Sequence, residues 1–409
     1  QIVEPPLQYA YLKRPYELEP LALTKMPNVW FVGEDGSILS GDIGDKIIKE
    51  TVYELEFRSD LRYPPHPAFA LGPEGLPLYH ALETEDLRGI KTPEDFGVLR
   101  VRHVEAADFA YQIKRLVHPR VHSPIGELMA DVIVGLRELG ERLRQESERT
   151  DNDQAWLDLR PYELPGVEVM GPSRLRIHVK GLYPQFRFWL AMPFFAPTPW
   201  EVDAFYSQAV LKAKNFTLDW FPVGSGPYRL LENNPNRRMV LSRNPEFHPA
   251  FYPSEGEPGD AERGLLEDQG KKLPLIDRIV FVLEKETIPY WSKFLQGYYD
   301  ASGLASDNFD QAIEFSGVGN ADLTPEMKAR GIQLETTVNA SILYLGFNML
   351  DPVVGGLEEK KSALRRALSL AIDEEEFISI FMNGRGIPAQ GLLPPGIFGH
   401  LEGPAGINP

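Results

Sequence analysis

The chain predicts an α/β architecture in two or three lobes, and three observations carry that expectation. Its 409 residues exceed what one hydrophobic core usually fills. Segments with alternating apolar residues are interleaved with segments whose apolar residues recur at three- and four-residue steps. No block repeats at a fixed period, which argues against a solenoid.

The elements follow in chain order. The opening stretch is extended and punctuated by Pro5, Pro6 and Pro20. After a turn at 33–36, Tyr53, Leu55 and Phe57 alternate with Glu54 and Glu56, which predicts a half-buried strand. The proline- and glycine-rich run 60–95 reads as a long loop. Phe109, Ile113, Leu116 and Val117 share one face of a helix over 108–117. From Ile125 onward Leu128, Val132, Leu136, Leu139 and Leu143 recur at helical steps while Arg137, Glu138, Glu141 and Arg142 fall elsewhere, predicting one amphipathic helix. The charged run 146–154 reads as a solvated helix end or loop. Leu175, Ile177 and Val179 alternate with Arg176, His178 and Lys180, a strand with one wet face. A second proline- and glycine-rich region, 244–272, leads into a strand at 276–283, and 342–347 reads as a further buried strand.

Composition narrows the classes of partner. Hydrophobic residues at 43% and charged residues at 25% are ordinary for a soluble globular protein and argue against global disorder. The 42 Lys and Arg against 59 Asp and Glu give a net charge of -17, so nucleic acid and anionic membrane surfaces are poor partners. The longest apolar run, near 186–200, is interrupted by Pro193, Pro197 and Pro199 and does not suit a membrane span. Gln1 opens no basic and apolar leader, so a secretory signal is expected to be either absent or already removed. With no cysteine, disulfides, thiolate catalysis and thiolate metal sites are excluded.

Two stretches stand out. In Gly224-Ser225-Gly226-Pro227 the glycines are expected to take positive φ twice, and Pro227 then fixes φ so that Tyr228 is aimed rigidly from the start of a strand. Such a turn suits a hinge or a cleft wall, although a plain turn between two elements gives the same residues. In the second stretch Leu364, Leu368, Ala371 and Ile372 share a helix face. Asp373 then caps the next helix, with Glu376 returning the bond, and Asn383-Gly384 stops it.

Evidence for catalysis is thin. His118 and His122 are four apart, but Pro119 follows the first and no His-Glu-x-x-His pattern occurs, so surface histidines are expected rather than metal ligands. No Gly-x-Ser-x-Gly elbow is present, no two acidic residues are marked as a facing pair, and the phosphate-loop ending is missing. No catalytic residue, no metal and no cofactor is expected.

Several motifs in fixed order carry a resemblance. The strand 53–63, the helix opening Glu105-Ala106-Ala107-Asp108, the turn 223–230, Arg243-Asn244-Pro245, the element Phe294 to Asp300, Leu345 to Asn348, the run Arg365 to Asp373 and the following 384–389 each match a family element. Together they resemble the extracellular solute-binding proteins of ABC importers, family 5, the oligopeptide and dipeptide type. The resemblance implies a two-lobed periplasmic-binding-protein-like fold with an additional domain, three domains in the full family. It implies that residues 1–12 begin lobe I, 13–173 form domain II, 174–273 complete lobe I, and 274–409 form domain III or the second lobe, with both ends cut. Long insertions around 64–95 and 249–272 suggest a distinct subgroup.

By the same resemblance the protein is a non-enzymatic receptor that closes its lobes on a peptide or similar small solute and presents it to ABC permease subunits. It would act as a monomer, periplasmic or lipid-anchored outside the cytoplasmic membrane. Tyr228, Ser225 and Ile125 are the candidate ligand-binding residues; for Tyr228 a packed strand residue, and for Ile125 a core helix residue, stand as alternatives. A secreted hydrolase of oligomeric substrates and the ligand-sensing domain of a regulator are the competing functions.

Overall fold

The computed structural model describes residues 2–14, 16–39, 47–149, 156–315, 321–336, 339–395, 397, 399–401 and 403. Mixed helix and sheet are present as expected. The chain divides into one compact unit of Gln1–Lys13 and Glu17–Leu283 and another of Arg14–Tyr16 and Glu284–Pro409.

In chain order the first unit opens with β1 (Leu7–Tyr9) and β2 (Leu18–Pro20), which pair antiparallel. Then come β3 (Asn28–Gly33), β4 (Ile38–Leu39), β5 (Ile48–Glu56), β6 (Arg62–His66) and β7 (Arg100–His103). Helices α1 (Ala106–Arg115), α2 (Gly126–Val132) and α3 (Leu136–Arg149) follow, then β8 (Val167–Val169) and β9 (Arg174–Lys180). Short helices α4 (Phe186–Trp189), α5 (Trp200–Tyr206) and α6 (Ala209–Lys212) lead to β10 (Tyr228–Asn234), β11 (Arg238–Arg243) and β12 (Arg278–Val282). The main sheet has the order β4-β3-β5-β9-β8, and a second sheet runs β10-β11-β12.

Alternation decides which face of the main sheet is buried. Tyr53 and Leu55 on β5 sit opposite Ile177 and Leu175 on β9, and all four are buried, while Glu54 pairs with Arg176 on the wetter face at 2.8 Å. Helix α1 lays its apolar side on this layer. Phe109 stacks on Phe57 with ring centroids 3.9 Å apart, and Phe186 packs on Tyr53 at 5.0 Å. Phe205 of α5 anchors the other side of the core, in ring contact with His66, His80, Phe96 and Tyr206.

Several expectations are corrected. The run 60–95 holds strand β6 in spite of Pro64 and Pro65, because the ladder with β7 shifts register between Tyr63 and His66 and spares the prolines a place in regular pairing. The helix expected from Ile125 through Leu143 is two helices. Ile133 leaves the helix to bridge Val179, and Gly135 takes φ +76°, which turns the chain into α3. Of the charged run 146–154, helix α3 takes the part up to Arg149, and 150–154 lie outside the described residues.

The second unit contains α7 (Thr287–Leu295), α8 (Phe309–Ala312), a hairpin of β13 (Ile313–Phe315) and β14 (Ala321–Leu323), then α9 (Pro325–Ala329), α10 (Glu359–Leu370) and α11 (Glu374–Phe381). Its core gathers Trp291, Phe309, Ala312, Ile313, Leu323 and Met327. Residues 342–347 are not a strand, and Leu343, Tyr344 and Leu345 are 76%, 86% and 69% exposed. No strand among the described residues pairs with them, so the apolar side chains find no layer to cover. The face shared by Leu364, Leu368 and Ile372 is likewise unburied. Asp373 does cap α11, accepting the Glu376 backbone N–H at 2.9 Å, and Asn383 and Gly384 both take positive φ at the helix stop.

Candidate functional site

The motifs that drew notice in the first unit converge on a buried polar knot built from three distant segments. The turn at Gly224 to Pro227 is tied to the chain start, because the Gly226 N–H donates to the Ile2 carbonyl at 2.9 Å. Neither Gly224 nor Gly226 has a positive φ, contrary to expectation. The need for glycine at 224 is spatial instead, since a Cβ there would lie 2.2 Å from that same Ile2 oxygen.

Glu4 sits at the centre of the knot. One carboxylate oxygen accepts the Ser225 hydroxyl at 2.8 Å, and the other accepts Nε2–H of His248 at 2.8 Å. Glu4 and Ser225 are each 2% exposed and His248 5%. Burying a carboxylate costs several kcal/mol unless its oxygens are bonded, and here each oxygen has a donor. Asn244 completes the knot, its Nδ2 donating to the Gly226 carbonyl at 2.9 Å and its backbone N–H to Pro227 at 2.8 Å. The Gly-x-Gly-Pro and Arg-Asn-Pro motifs are therefore two halves of one structural joint.

The same geometry disposes of a nucleophile. In a serine triad the hydroxyl bonds to a histidine nitrogen and the carboxylate stands behind the ring. Here the carboxylate lies between serine and histidine, so nothing takes a proton from Ser225 except Glu4 itself. The arrangement ties three segments of the chain together and is not a serine triad.

The expected ligand residues are placed as follows. Ser225 lies in the knot. Tyr228 begins β10, buried to 6% exposure, and its hydroxyl donates to the Ile276 carbonyl at 2.9 Å. Ile125 is in the core ahead of α2. Ser225 and Tyr228 belong to one turn and strand start, and Ile125 lies elsewhere in the unit. Glu4 and His248 were not singled out in the sequence, because they stand 244 residues apart with no local pattern around either.

A second buried network supports α1. Asp108 accepts from Arg102 at 2.7 Å, from the Tyr63 hydroxyl at 3.2 Å and from the Glu105 backbone N–H at 3.0 Å. Arg102 also bonds Glu201 at 2.7 Å. Burial pushes the Asp108 carboxyl up to about 6 against the opposing pull of Arg102. His118, expected at the surface, is largely enclosed, and burial lowers it to about 4. Among the described residues no group of three or more His, Asp or Glu could hold a metal ion, and no helix is long and apolar enough to cross a membrane.

Comparison with known proteins adds the wider context. The family model of bacterial extracellular solute-binding proteins, family 5 (middle), matches residues 102–407. No curated protein matches the chain. The solved structure of MppA, a periplasmic murein tripeptide binding protein in its unliganded open form, aligns at 16% identity and TM-score 0.52, covering 98% of this chain and 55% of MppA. The substrate-binding domain of an oligopeptide ABC transporter from Bacillus anthracis str. Ames aligns at 15% identity and TM-score 0.48, covering 99% of this chain and 56% of the other. Listeria monocytogenes OppA bound to peptide aligns at 13% identity and TM-score 0.44, covering 76% and 42%. The chain thus spans 42% to 56% of the length of these three structures, and the likeness to MppA is one of fold.

Proposed function

The chain belongs to the bacterial extracellular solute-binding proteins of family 5, and we propose that it is the recognition part of a receptor that delivers a peptide or similarly sized solute to an ABC importer. Family membership over three quarters of the chain carries this reading, and a fold shared with a tripeptide-binding protein supports the peptide class of cargo. In this reading the solute is carried unchanged. The bridging position of Glu4 between Ser225 and His248 is in keeping with that, because the serine–histidine contact of a triad is missing from it.

The mechanism we propose is hinged closure. A solute stabilises the closed state only by the contacts it makes there and not in the open state, and release to permease subunits follows when those contacts are lost. A peptide would be held largely through its main chain, leaving selectivity broad. The residue limits 1–12, 13–173, 174–273 and 274–409 remain our proposed domain division. We place the protein outside the cytoplasmic membrane, periplasmic or lipid-anchored, acting as a monomer.

Tyr228, Ser225 and Ile125 remain the proposed contributors to the ligand site. Since the hydroxyls of Tyr228 and Ser225 are engaged inside the fold, their part is to shape a wall through ring and backbone. Native mass spectrometry of undenatured protein tests the reading. A co-purified peptide-sized mass is the expected result, and reproducible substrate turnover by pure protein would end it.

A further inference from the structure

We propose that a cavity of about 200 Å³ in the first unit, between the loop 117–125 and helices α2 and α3, binds a small oxyanion such as a carboxylate. It lies within one unit and is unrelated to the receptor reading above. Its lining combines aliphatic residues with several side chains that can donate hydrogen bonds. The Ser123 hydroxyl is shielded from solvent and has no hydrogen-bond partner among the described residues, an unfavourable state for a buried polar group. Nδ1 of His118 accepts the Arg120 backbone N–H at 3.1 Å, so its hydrogen is on Nε2 and the neutral ring remains a donor.

Charge points the same way. Arg137 and Arg144 line the cavity, and Glu127 is its one acidic wall residue. Arg137 holds Asp131 at 2.6 Å and Glu127 at 3.3 Å, so that acid is already neutralised. Arg144 forms no ion pair among the described residues. A hydroxyl, an imidazole N–H and a guanidinium with no ion pair among the described residues together recognise a carboxylate or phosphate oxygen rather than a cation. The floor is kept open by Gly140, where a Cβ would stand 3.2 Å from Val117.

Calorimetric titration of the intact protein with sodium acetate, and separately with sodium phosphate, at ionic strength held constant with sodium chloride, tests this. Saturable binding of either anion is expected, acetate identifying a carboxylate site and phosphate a phosphoryl site. Arg144→Ala and Ser123→Ala should each weaken it about tenfold or more, the loss of one hydrogen bond to a charged group. Ser123→Ala discards a hydroxyl that bonds none of the described residues, so its melting temperature without anion should equal or exceed the parent's. That keeps a lost affinity readable as lost contact. An absence of saturable heat, or binding that neither substitution changes, overturns the proposal.

Discussion

Glu4 and His248 meet at 2.8 Å inside the first unit although 244 residues separate them, and the other oxygen of Glu4 holds Ser225 at the same distance. Removing the acid should leave two buried donors without an acceptor. Glu4→Ala is therefore expected to destabilise by about 2–5 kcal/mol, roughly 1–3 kcal/mol for each buried donor left unpaired. In a double-mutant cycle Glu4→Gln and His248→Gln should be non-additive, as contacting residues are. Additive losses in urea unfolding would mean that the pair is not coupled.

Gly224→Ala places a methyl group 2.2 Å from the Ile2 carbonyl oxygen. We expect a loss of about 1–3 kcal/mol, as for overpacking in a tight interior. Gly75→Ala is the contrasting variant, because Gly75 has φ +76° but nothing within 4 Å of a Cβ. Its cost is torsional and about 1 kcal/mol. Thermal melts that rank Gly75→Ala as the worse of the two would contradict the spatial account.

Tyr228→Phe keeps the ring and removes the hydroxyl that bonds Ile276. Stability should fall by about 1 kcal/mol, the net worth of one hydrogen bond. Peptide affinity should hold within about twofold, because no hydroxyl is left free for a solute. A large loss of affinity in this variant would place the hydroxyl, rather than the ring, against the ligand.

Acid should weaken the first unit in a window set by its buried histidines. Burial lowers His66 to about 3 and His118 to about 4, both below the usual 6.5 of the unfolded chain. Their neutral forms therefore contribute stability above that value, and it is lost as pH falls toward their native values. Asp108, raised to about 6, runs the other way, losing stability as pH rises from 3.8. Between about pH 4 and 6 the unfolded state binds two histidine protons and the native state one aspartic proton. Net stability from these groups should thus rise with pH by about 1.4 kcal/mol per unit. Urea midpoints at two pH values in this window check the slope, and a fall in stability with rising pH would refute it.

What was legible in the chain followed locality. Leu175, Ile177 and Val179 announce β9 because one face of that strand is wet, so alternation survives. The helix break at Ile133 was hidden, because Leu136 and Leu139 resume the same apolar spacing after a turn that only Gly135 marks. Strand β6 was masked by its two prolines, which a register shift accommodates. At 342–347 a short, nearly continuous apolar run misled, since a strand needs a neighbour to pair with and none is present among the described residues. The turn at Gly224 was visible as glycine-rich, but its reason, the nearness of Ile2, and its partners Glu4 and His248 come from chain crossings that no local pattern encodes.

Recovery of a defined tripeptide after equilibrium dialysis against the intact protein bears most directly on the receptor reading. Retained tripeptide should be released by mild denaturation with its mass unchanged and in near-stoichiometric amount. Recovery of cleaved fragments, or retention no greater than for a bystander protein, would contradict a receptor that carries its cargo intact.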